Sequence, residues 1–264
     1  MSLAASRNQV GRPLPVHLVG AGPGDPGLLT VRGAHLLTES DAIFHDELLD
    51  AAVLDLAASA RRYPAGRRAG QGGRDPRQTA AQMAALARRG LRVVRLKGGD
   101  PYLFGRGAEE AAGLLELGVP FEVVPGVSSA FAAPAVVGIP LTHRTLASSV
   151  TIITGHRGLD TDPPRWRALA TGADTLVVMM GGSRLAEISR ALLDAGRPAS
   201  SPAAVVVAAT MPGQRHLVST LAAVAVDARR HQLGTPAVLV VGEVVSLAET
   251  LLGPALPALV AASR

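Results

Sequence analysis

The sequence predicts an α/β protein built from two α/β domains with a cleft between them. Short apolar runs at residues 16–19, 42–45 and 92–96 alternate with helical patterns along the first half of the chain. This alternation is typical of a largely parallel sheet with helices on both faces. After about residue 144 the alternation begins again, which predicts the second domain.

Three segments follow from this reading. We expect a loose N-terminal tail at residues 1–15, an N-terminal α/β domain at 16–142 and a C-terminal α/β domain at 148–250. The tail has no apolar stretch of the kind that a signal peptide requires. Residues 123–142 carry no charge, but prolines and glycines interrupt them, so no membrane span is predicted.

Composition excludes several classes of site. Hydrophobic residues make up 48% of the 264 residues and charged residues 18%, which predicts a substantial core. The absence of cysteine excludes a disulfide framework, a thiolate zinc site, a cysteine nucleophile and an iron–sulfur cluster. It also fits a reducing compartment, so the cytoplasm is the expected location. The seven histidines have no paired spacing, and we predict no metal.

The formal net charge of +5 favours an anionic partner. Aromatic residues are only 3% of the chain, which leaves few side chains for stacking on nucleic-acid bases. A solvated arginine-rich surface would account for the charge. A small polyanionic substrate is the sharper alternative.

Polar and glycine-rich residues follow the predicted strands at the points where those strands end. In parallel sheets, ligands bind outside the carboxyl ends of the strands. The segments concerned are residues 20–25, Asp46, residues 97–100 and residues 125–129.

The first of these segments superficially matches the dinucleotide-binding fingerprint. Asp25 occupies the third glycine position, however, and Pro23 lacks the N–H that a phosphate needs. A pyrophosphate cradle is therefore disfavoured. A turn that approaches an uncharged or cationic ligand is favoured instead.

Two of the other segments allow a purely structural role. Asp46 is either the N-cap of a helix that begins near Leu48 or a functional carboxylate. Ser128 and Ser129 either cap the next helix or contact a ligand.

Taken together, these segments resemble the uroporphyrinogen-III C-methyltransferase family, which has the tetrapyrrole methylase fold. The resemblance extends from Val16 to Leu247 and is to the stand-alone form, without the dehydrogenase/ferrochelatase module that some members carry. The matching segments are residues 19–26, 45–46, 95–110, 124–128, 139–144, 154–156, 180–181, 210–215 and 236–245.

The resemblance implies S-adenosylmethionine as methyl donor and uroporphyrinogen III as acceptor. Two C-methylations would give precorrin-2, an intermediate of siroheme and cobalamin biosynthesis. A homodimer is implied, with no nucleic-acid or membrane partner. By resemblance, the donor-binding residues are Pro23, Gly98, Gly99, Asp100, Leu103, Ser128, Ser129, Met180 and Ala209.

The family's catalytic base corresponds to Asp46, and its proton donor, normally a lysine, corresponds to Arg67. A guanidinium is a poor proton donor, so we expect Arg67 to bind a substrate carboxylate or to fix its loop. Arg106, His143 and Arg144 are further candidates for carboxylate contacts. The alternatives are a methyltransferase for a later corrin intermediate, an RNA-directed methylase or RNA-binding protein, and a non-catalytic donor sensor.

Overall fold

The computed structural model describes residues 12–66, 75–155 and 163–252. The chain divides into two compact units, Met1–Ser128 and Ser129–Arg264, called here the N-terminal and C-terminal units. Each unit contains a five-stranded sheet flanked by helices, so the α/β prediction is confirmed. The predicted cleft stays a prediction.

The sheet of the N-terminal unit is parallel throughout, as the sequence predicts. Its strands are β1 (Val16–Gly20), β2 (Ala42–His45), β3 (Arg61–Pro64), β4 (Val93–Lys97) and β5 (Phe121–Val124). They lie in the order β3–β2–β4–β1–β5. The carboxyl ends of all five strands therefore share one edge of the sheet.

Helices cover both faces of this sheet. They are α1 (Val31–Thr38), α2 (Ala51–Asp55), α3 (Pro76–Arg88) and α4 (Gly107–Glu116). On one face, Phe44 lies in a core with Met83 of α3 and Leu114 of α4. On the other face, the adjacent Ile43 lies in a core with Leu37 of α1. Successive strand side chains point to opposite faces, so both faces must be covered by apolar residues.

The sheet of the C-terminal unit is mixed. Its strands are β6 (Val150–Thr154), β7 (Thr175–Met179), β8 (Pro202–Val207), β9 (Arg215–Thr220) and β10 (Ala237–Val241). They lie in the order β6–β7–β10–β8–β9, and only β6 and β7 pair in parallel. The expectation of a largely parallel sheet therefore holds for the N-terminal unit alone. The connection at residues 208–214 is too short for a crossover helix, so β8 and β9 form an antiparallel hairpin.

The helices of this unit are α5 (Ser129–Ala135), α6 (Pro163–Gly172), α7 (Leu185–Asp194), α8 (Val224–Arg230) and α9 (Ala248–Leu252). The division between the units falls before α5 because this helix packs against β7, β8 and β10. The sequence analysis placed the boundary between the two domains later, between residues 142 and 148. Across residues 12–66, 75–155 and 163–252, every helix is too short or too polar to cross a bilayer.

Candidate active site

The loops that follow β1 and β4 are joined at the carboxyl edge of the N-terminal sheet. The Gly99 N–H donates to the Gly22 carbonyl oxygen at 2.8 Å, and the Gly22 N–H donates to the Gly99 carbonyl oxygen at 3.2 Å. Gly22 and Gly99 have φ angles of +74° and +66°, a region that residues with a Cβ rarely adopt. Their glycine identity is therefore required by the backbone of these two loops.

Gly20 and Gly126 bring the loop after β5 against the same place. A Cβ on Gly20 would lie 2.5 Å from the Cα of Gly126 and 2.6 Å from the Gly99 carbonyl oxygen. At Gly98 the nearest atom to an added Cβ would be Leu49 Cδ2, at an ordinary 3.7 Å. Packing therefore requires glycine at positions 20 and 126. At Gly98 there is space beside the backbone where a side chain would begin.

Asp46 follows β2 directly and lies at this edge. Its Oδ1 accepts a hydrogen bond from Arg95 Nη2 at 2.5 Å, and its Oδ2 accepts one from the Gly98 N–H at 3.1 Å. The side chain keeps 29% of its surface exposed, so the carboxylate is still accessible. The predicted base and the predicted donor-binding residue Gly98 are therefore in direct contact.

The capping role proposed for Asp46 belongs to a different aspartate. Helix α2 begins at Ala51, and the side chain of Asp50 caps it by accepting a hydrogen bond from the Ala52 N–H at 2.8 Å. The N-cap interpretation of Asp46 is therefore wrong, because the helix starts later than its apolar pattern indicates. The other interpretation, a functional carboxylate, stays a prediction.

A buried network of charged side chains connects Asp46 to α4. Arg95 and Lys97 alternate along β4 and so face the same side of the sheet, where Glu110 of α4 lies between them. Arg95 Nε donates to Glu110 Oε1 at 2.8 Å, and Lys97 Nζ donates to Glu110 Oε2 at 2.9 Å. The side chains of Arg95, Lys97 and Glu110 are 3%, 2% and 5% exposed. Two cations and two carboxylates balance the charge.

This network shifts the pKa of three of its members. Burial alone would raise the pKa of Asp46, but the charges of Arg95 and Lys97 and the hydrogen bonds to the carboxylate outweigh it, and the pKa is lowered. For Arg95, burial opposes the charged form, and the two neighbouring carboxylates outweigh it, so its pKa is raised. The pKa of Lys97 is lowered by burial and by the Arg95 charge. Asp46 is consequently ionised throughout the neutral range.

Asp100 joins two of the loops. Its Oδ1 accepts a hydrogen bond from the Tyr102 N–H at 2.8 Å, and its Oδ2 accepts one from the Gly126 N–H at 3.1 Å. It therefore ties the loop after β4 to the loop after β5. A contact from Asp100 to the donor, which the resemblance implies, stays a prediction.

The remaining predicted donor residues of the N-terminal unit lie on the same loops. Pro23 follows the bridge residue Gly22 and is half-buried, as is Leu103, whose N–H donates to the Asp100 carbonyl oxygen at 3.4 Å. Ser128 is buried at the end of the loop after β5. Strand order thus brings these residues to one edge of the sheet.

Ser129, Met180 and Ala209 belong to the C-terminal unit. Ser129 is the first residue of α5, Met180 follows β7, and Ala209 is buried just after β8. The ends of β7 and β8 flank the start of β10, so Met180 and Ala209 lie at the same edge of the second sheet.

Backbone strain marks these strand ends. Met180, Ala208 and Thr210 have φ angles of +55°, +48° and +63°, and Phe104 and Arg106 after β4 have +56° and +57°. Such angles in residues other than glycine cluster at functional sites. The sequence analysis did not predict Phe104, Ala208 or Thr210 as site residues, because strain of this kind leaves no residue-type signal.

The predicted acceptor contacts are exposed. Arg106 Nε donates to Glu109 Oε1 at 3.2 Å, and Arg106 lines a groove of about 240 Å³ between α3 and α4. His143 accepts a hydrogen bond on Nδ1 from the Thr145 N–H at 3.4 Å, and Arg144 is exposed in the same turn. Arg67 lies outside the described residues.

In the described ranges, no group of three or more His, Cys, Asp or Glu side chains could hold a metal ion.

Arg95, Lys97 and Glu110 were not predicted as site residues, although the sequence carries a signal for them. A strand buried on both faces is normally apolar throughout, and charged residues inside it need partners. Glu110 also falls on the buried stripe of α4, between Gly107 and Leu114. Paired charges at buried positions would have indicated the network.

Comparisons with known proteins find a matching family, curated relatives and similar solved structures. Residues 15–225 match the model of the tetrapyrrole (corrin/porphyrin) methylases. Siroheme synthase 1 of Yersinia enterocolitica is 49% identical over 233 residues, which are 88% of this chain and 49% of the relative. The siroheme synthase of Chromobacterium violaceum is 46% identical over 240 residues, with 89% and 50% covered. The chain thus spans about half the length of the curated relatives it matches.

Solved structures are similar over nearly their whole length. The uroporphyrin-III C-methyl transferase of Thermus thermophilus complexed with S-adenyl homocysteine has a TM-score of 0.75 and 39% identity, with 88% of this chain and 99% of that one covered. A cobalt precorrin-4 methyltransferase of cobalamin biosynthesis has a TM-score of 0.75 and 29% identity, with 88% and 95% covered.

Proposed function

Because this chain belongs to the tetrapyrrole (corrin/porphyrin) methylase family, we propose that it transfers methyl groups from S-adenosylmethionine to carbon atoms of uroporphyrinogen III. Two transfers give precorrin-2 and release S-adenosylhomocysteine. The product feeds siroheme or cobalamin biosynthesis. The enzyme works as a homodimer in the cytoplasm, without a nucleic-acid, membrane or metal partner.

One observation carries the proposal: the ionised carboxylate of Asp46 is hydrogen-bonded to the backbone of Gly98 in the glycine loop after β4. A base and an open backbone segment for the donor are thereby adjacent. The 39% identity to a uroporphyrin-III C-methyl transferase complexed with S-adenyl homocysteine supports the same assignment.

The residues at the strand ends fit the donor. A sulfonium needs no phosphate cradle, so the missing N–H of Pro23 is tolerable. Gly98 leaves room for a ligand against its backbone, as an added Cβ there would have no close neighbour. By resemblance, the residues that would hold the donor are Pro23, Gly98, Gly99, Asp100, Leu103, Ser128, Ser129, Met180 and Ala209. When bound, the donor supplies an electrophilic methyl group.

The protein's own part in the reaction is to orient the reactants and to remove a proton. A pyrrole carbon is electron-rich, so positioning it in line with the methyl group supplies much of the rate. Asp46 then accepts the proton that the methylated macrocycle loses. Its lowered pKa keeps it ionised and ready to accept.

Basic side chains bind the acceptor, which carries many carboxylates. Arg106 and Arg144 offer exposed guanidinium groups that pair bidentately with a carboxylate, and His143 lies beside Arg144. Arg67 occupies the position of the family's lysine. We propose that it binds a substrate carboxylate and does not donate a proton.

The proposal is tested by incubating the protein with S-adenosylmethionine and uroporphyrinogen III, oxidising the products and identifying them by absorbance and mass. A dimethylated chromophore of the sirohydrochlorin type is expected. The matched control is the same mixture without the donor.

Later corrin intermediates and RNA are offered in parallel. The similarity to the cobalt precorrin-4 methyltransferase makes a later intermediate the second candidate. Methylation of a later intermediate or of RNA, with uroporphyrinogen III unchanged, contradicts the proposal. Donor binding without any turnover also contradicts it.

A further inference from the structure

The buried charges of β4 and α4 are unusual for a strand–helix contact. Arg95, Lys97 and Glu110 are each at most 5% exposed, in a face of the sheet otherwise covered by apolar side chains. Placing charges in such an environment carries a large desolvation cost, and apolar residues of similar size often give equal or greater stability. Stability alone is therefore a poor explanation for this network.

The geometry of Arg95 directs the network towards Asp46. Nη1 of Arg95 donates to the carbonyl oxygens of Phe44 and Leu96 at 3.3 and 2.9 Å, at the ends of β2 and β4. Nε is held by Glu110, and Nη2 reaches Asp46. Every nitrogen of the guanidinium group is thus fixed, and one of them fixes the carboxylate.

Lys97 and Glu110 complete this arrangement from inside. Glu110 uses one carboxylate oxygen for Arg95 and the other for Lys97, so Lys97 holds Glu110 in the orientation that Arg95 requires. Neither Lys97 nor Glu110 contacts Asp46 by a hydrogen bond. Both hold it through Arg95, and the charge of Lys97 also acts on Asp46 directly.

We propose that Lys97 and Glu110 are positioning residues that hold the Arg95 guanidinium against Asp46 and thereby fix the orientation and charge of the Asp46 carboxylate. The consequence for catalysis rests on the proposed function, in which Asp46 removes a proton. The consequence for Asp46 itself does not depend on it. The two can be tested separately.

The charges around Asp46 give the network a distinct signature. The groups that face it are Arg95 and Lys97 from β4, Glu110 through Arg95, and the adjacent His45, whose Nδ1 lies 2.9 Å from the Asp46 carbonyl oxygen. Removing the Lys97 charge should raise the pKa of Asp46. Removing the Glu110 charge should lower it further, because an unbalanced cation then remains nearby.

The experiment compares Lys97→Met, Glu110→Gln and the double variant with the wild type. The Asp46 carboxyl carbon is followed by ¹³C NMR as the pH is lowered, with Asp46→Asn used to assign the signal. The double variant keeps the charge balanced, so it retains a testable fold if a single variant does not. Arg92→Gln is the matched control. Arg92 directly precedes β4, and its replacement removes an ion pair with Asp41 instead of one in the buried network.

The midpoint of the Asp46 titration should move upward by about one pH unit in Lys97→Met and downward in Glu110→Gln. Arg92→Gln should titrate near the wild type. Displacements in the same direction, or none in Lys97→Met, overturn the proposal whatever the enzyme's activity.

Activity provides the second measurement. With uroporphyrinogen III as acceptor, kcat of the double variant should fall about a hundredfold, as expected from a small misplacement of a catalytic group, while the affinity for the donor stays unchanged. Unchanged kcat overturns the positioning role. If the wild type itself does not methylate uroporphyrinogen III, the proposed function fails, and the NMR titration still decides the role of the network.

Discussion

Carboxylates are common where an apolar strand ends, and Asp46 becomes informative only through its contacts. One oxygen accepts from a fully buried arginine and the other from a backbone N–H of the glycine loop. Both hydrogen bonds favour the charged form, and the accessible remainder of the side chain can still meet a substrate. These contacts separate Asp46 from Asp50, which serves only α2.

At this scale we predict that Asp46→Asn lowers kcat by about 10²- to 10⁴-fold, the usual contribution of a positioned base. The amide retains the size of the side chain, and the affinity for the donor should change little. Asp50→Asn is the matched control, because asparagine caps helices as well as aspartate does. Steady-state kinetics and donor titration measure both variants. Full activity of Asp46→Asn would mean that the carboxylate removes no proton.

The same residue should make stability depend on pH. A carboxylate whose pKa is lower in the folded than in the unfolded state stabilises the fold above its ordinary pKa of 3.8, and this stabilisation is lost as the pH falls through the folded-state value. The difference in free energy of unfolding between the wild type and Asp46→Asn should be constant above about pH 5 and shrink below about pH 4. Urea denaturation at several pH values measures it. A difference that grows as the pH falls contradicts the assigned shift.

At the scale of elements, the loops after β1, β4 and β5 depend on glycine for two different reasons. A Cβ at Gly20 would enter the backbone of Gly126, whereas a Cβ at Gly98 would make only an ordinary contact with Leu49. The fold therefore requires Gly20, whereas the packing around Gly98 does not require a glycine there.

We predict opposite outcomes for the two alanine variants. Gly20→Ala should destabilise the protein strongly, because backbone atoms must move apart. Gly98→Ala should leave the melting temperature nearly unchanged and weaken donor binding, since the methyl group occupies the open side of the backbone. Thermal unfolding and calorimetric titration with S-adenosylhomocysteine separate the effects. Equal donor affinity in Gly98→Ala and the wild type would remove Gly98 from the donor site.

The elements themselves were predictable wherever a local pattern determines them. Strands β1, β2, β4 and β5 follow from apolar runs, whereas β3 has the sequence Arg-Arg-Tyr-Pro and is mostly exposed. The start of α3 at Asp75–Pro76 follows from a capping aspartate, whose side chain accepts from the Arg77 N–H. The direction of β10 was not predictable, since an apolar run reads the same in parallel and antiparallel pairs. Asp46 was identified by its place at a strand end, but its partners Arg95 and Glu110 depend on packing between β4 and α4.

For the molecule as a whole, the predicted tetrapyrrole methylase fold is confirmed, and so is the resemblance to uroporphyrinogen-III C-methyltransferases. Each unit has its own sheet and its own apolar core. The resemblance assigned donor residues to both units, and in each unit they lie at strand ends. Motif order along the chain identified these positions, whereas the mixed pairing of the second sheet required the coordinates.

The balance of charge gives the last prediction. The chain carries a formal net charge of +5, and the proposed acceptor is a polycarboxylate, whereas the donor carries no net negative charge. Attraction between such partners weakens as salt screens their charges, so the KM for uroporphyrinogen III should rise severalfold between low salt and about 0.5 M NaCl. The affinity for S-adenosylmethionine should change little over the same range, which makes it the internal control. Arg144→Gln should reduce the salt dependence of the acceptor KM, because one of the screened contacts is then absent. A salt dependence equal for both substrates would show that screening acts on the protein as a whole and not on acceptor recognition.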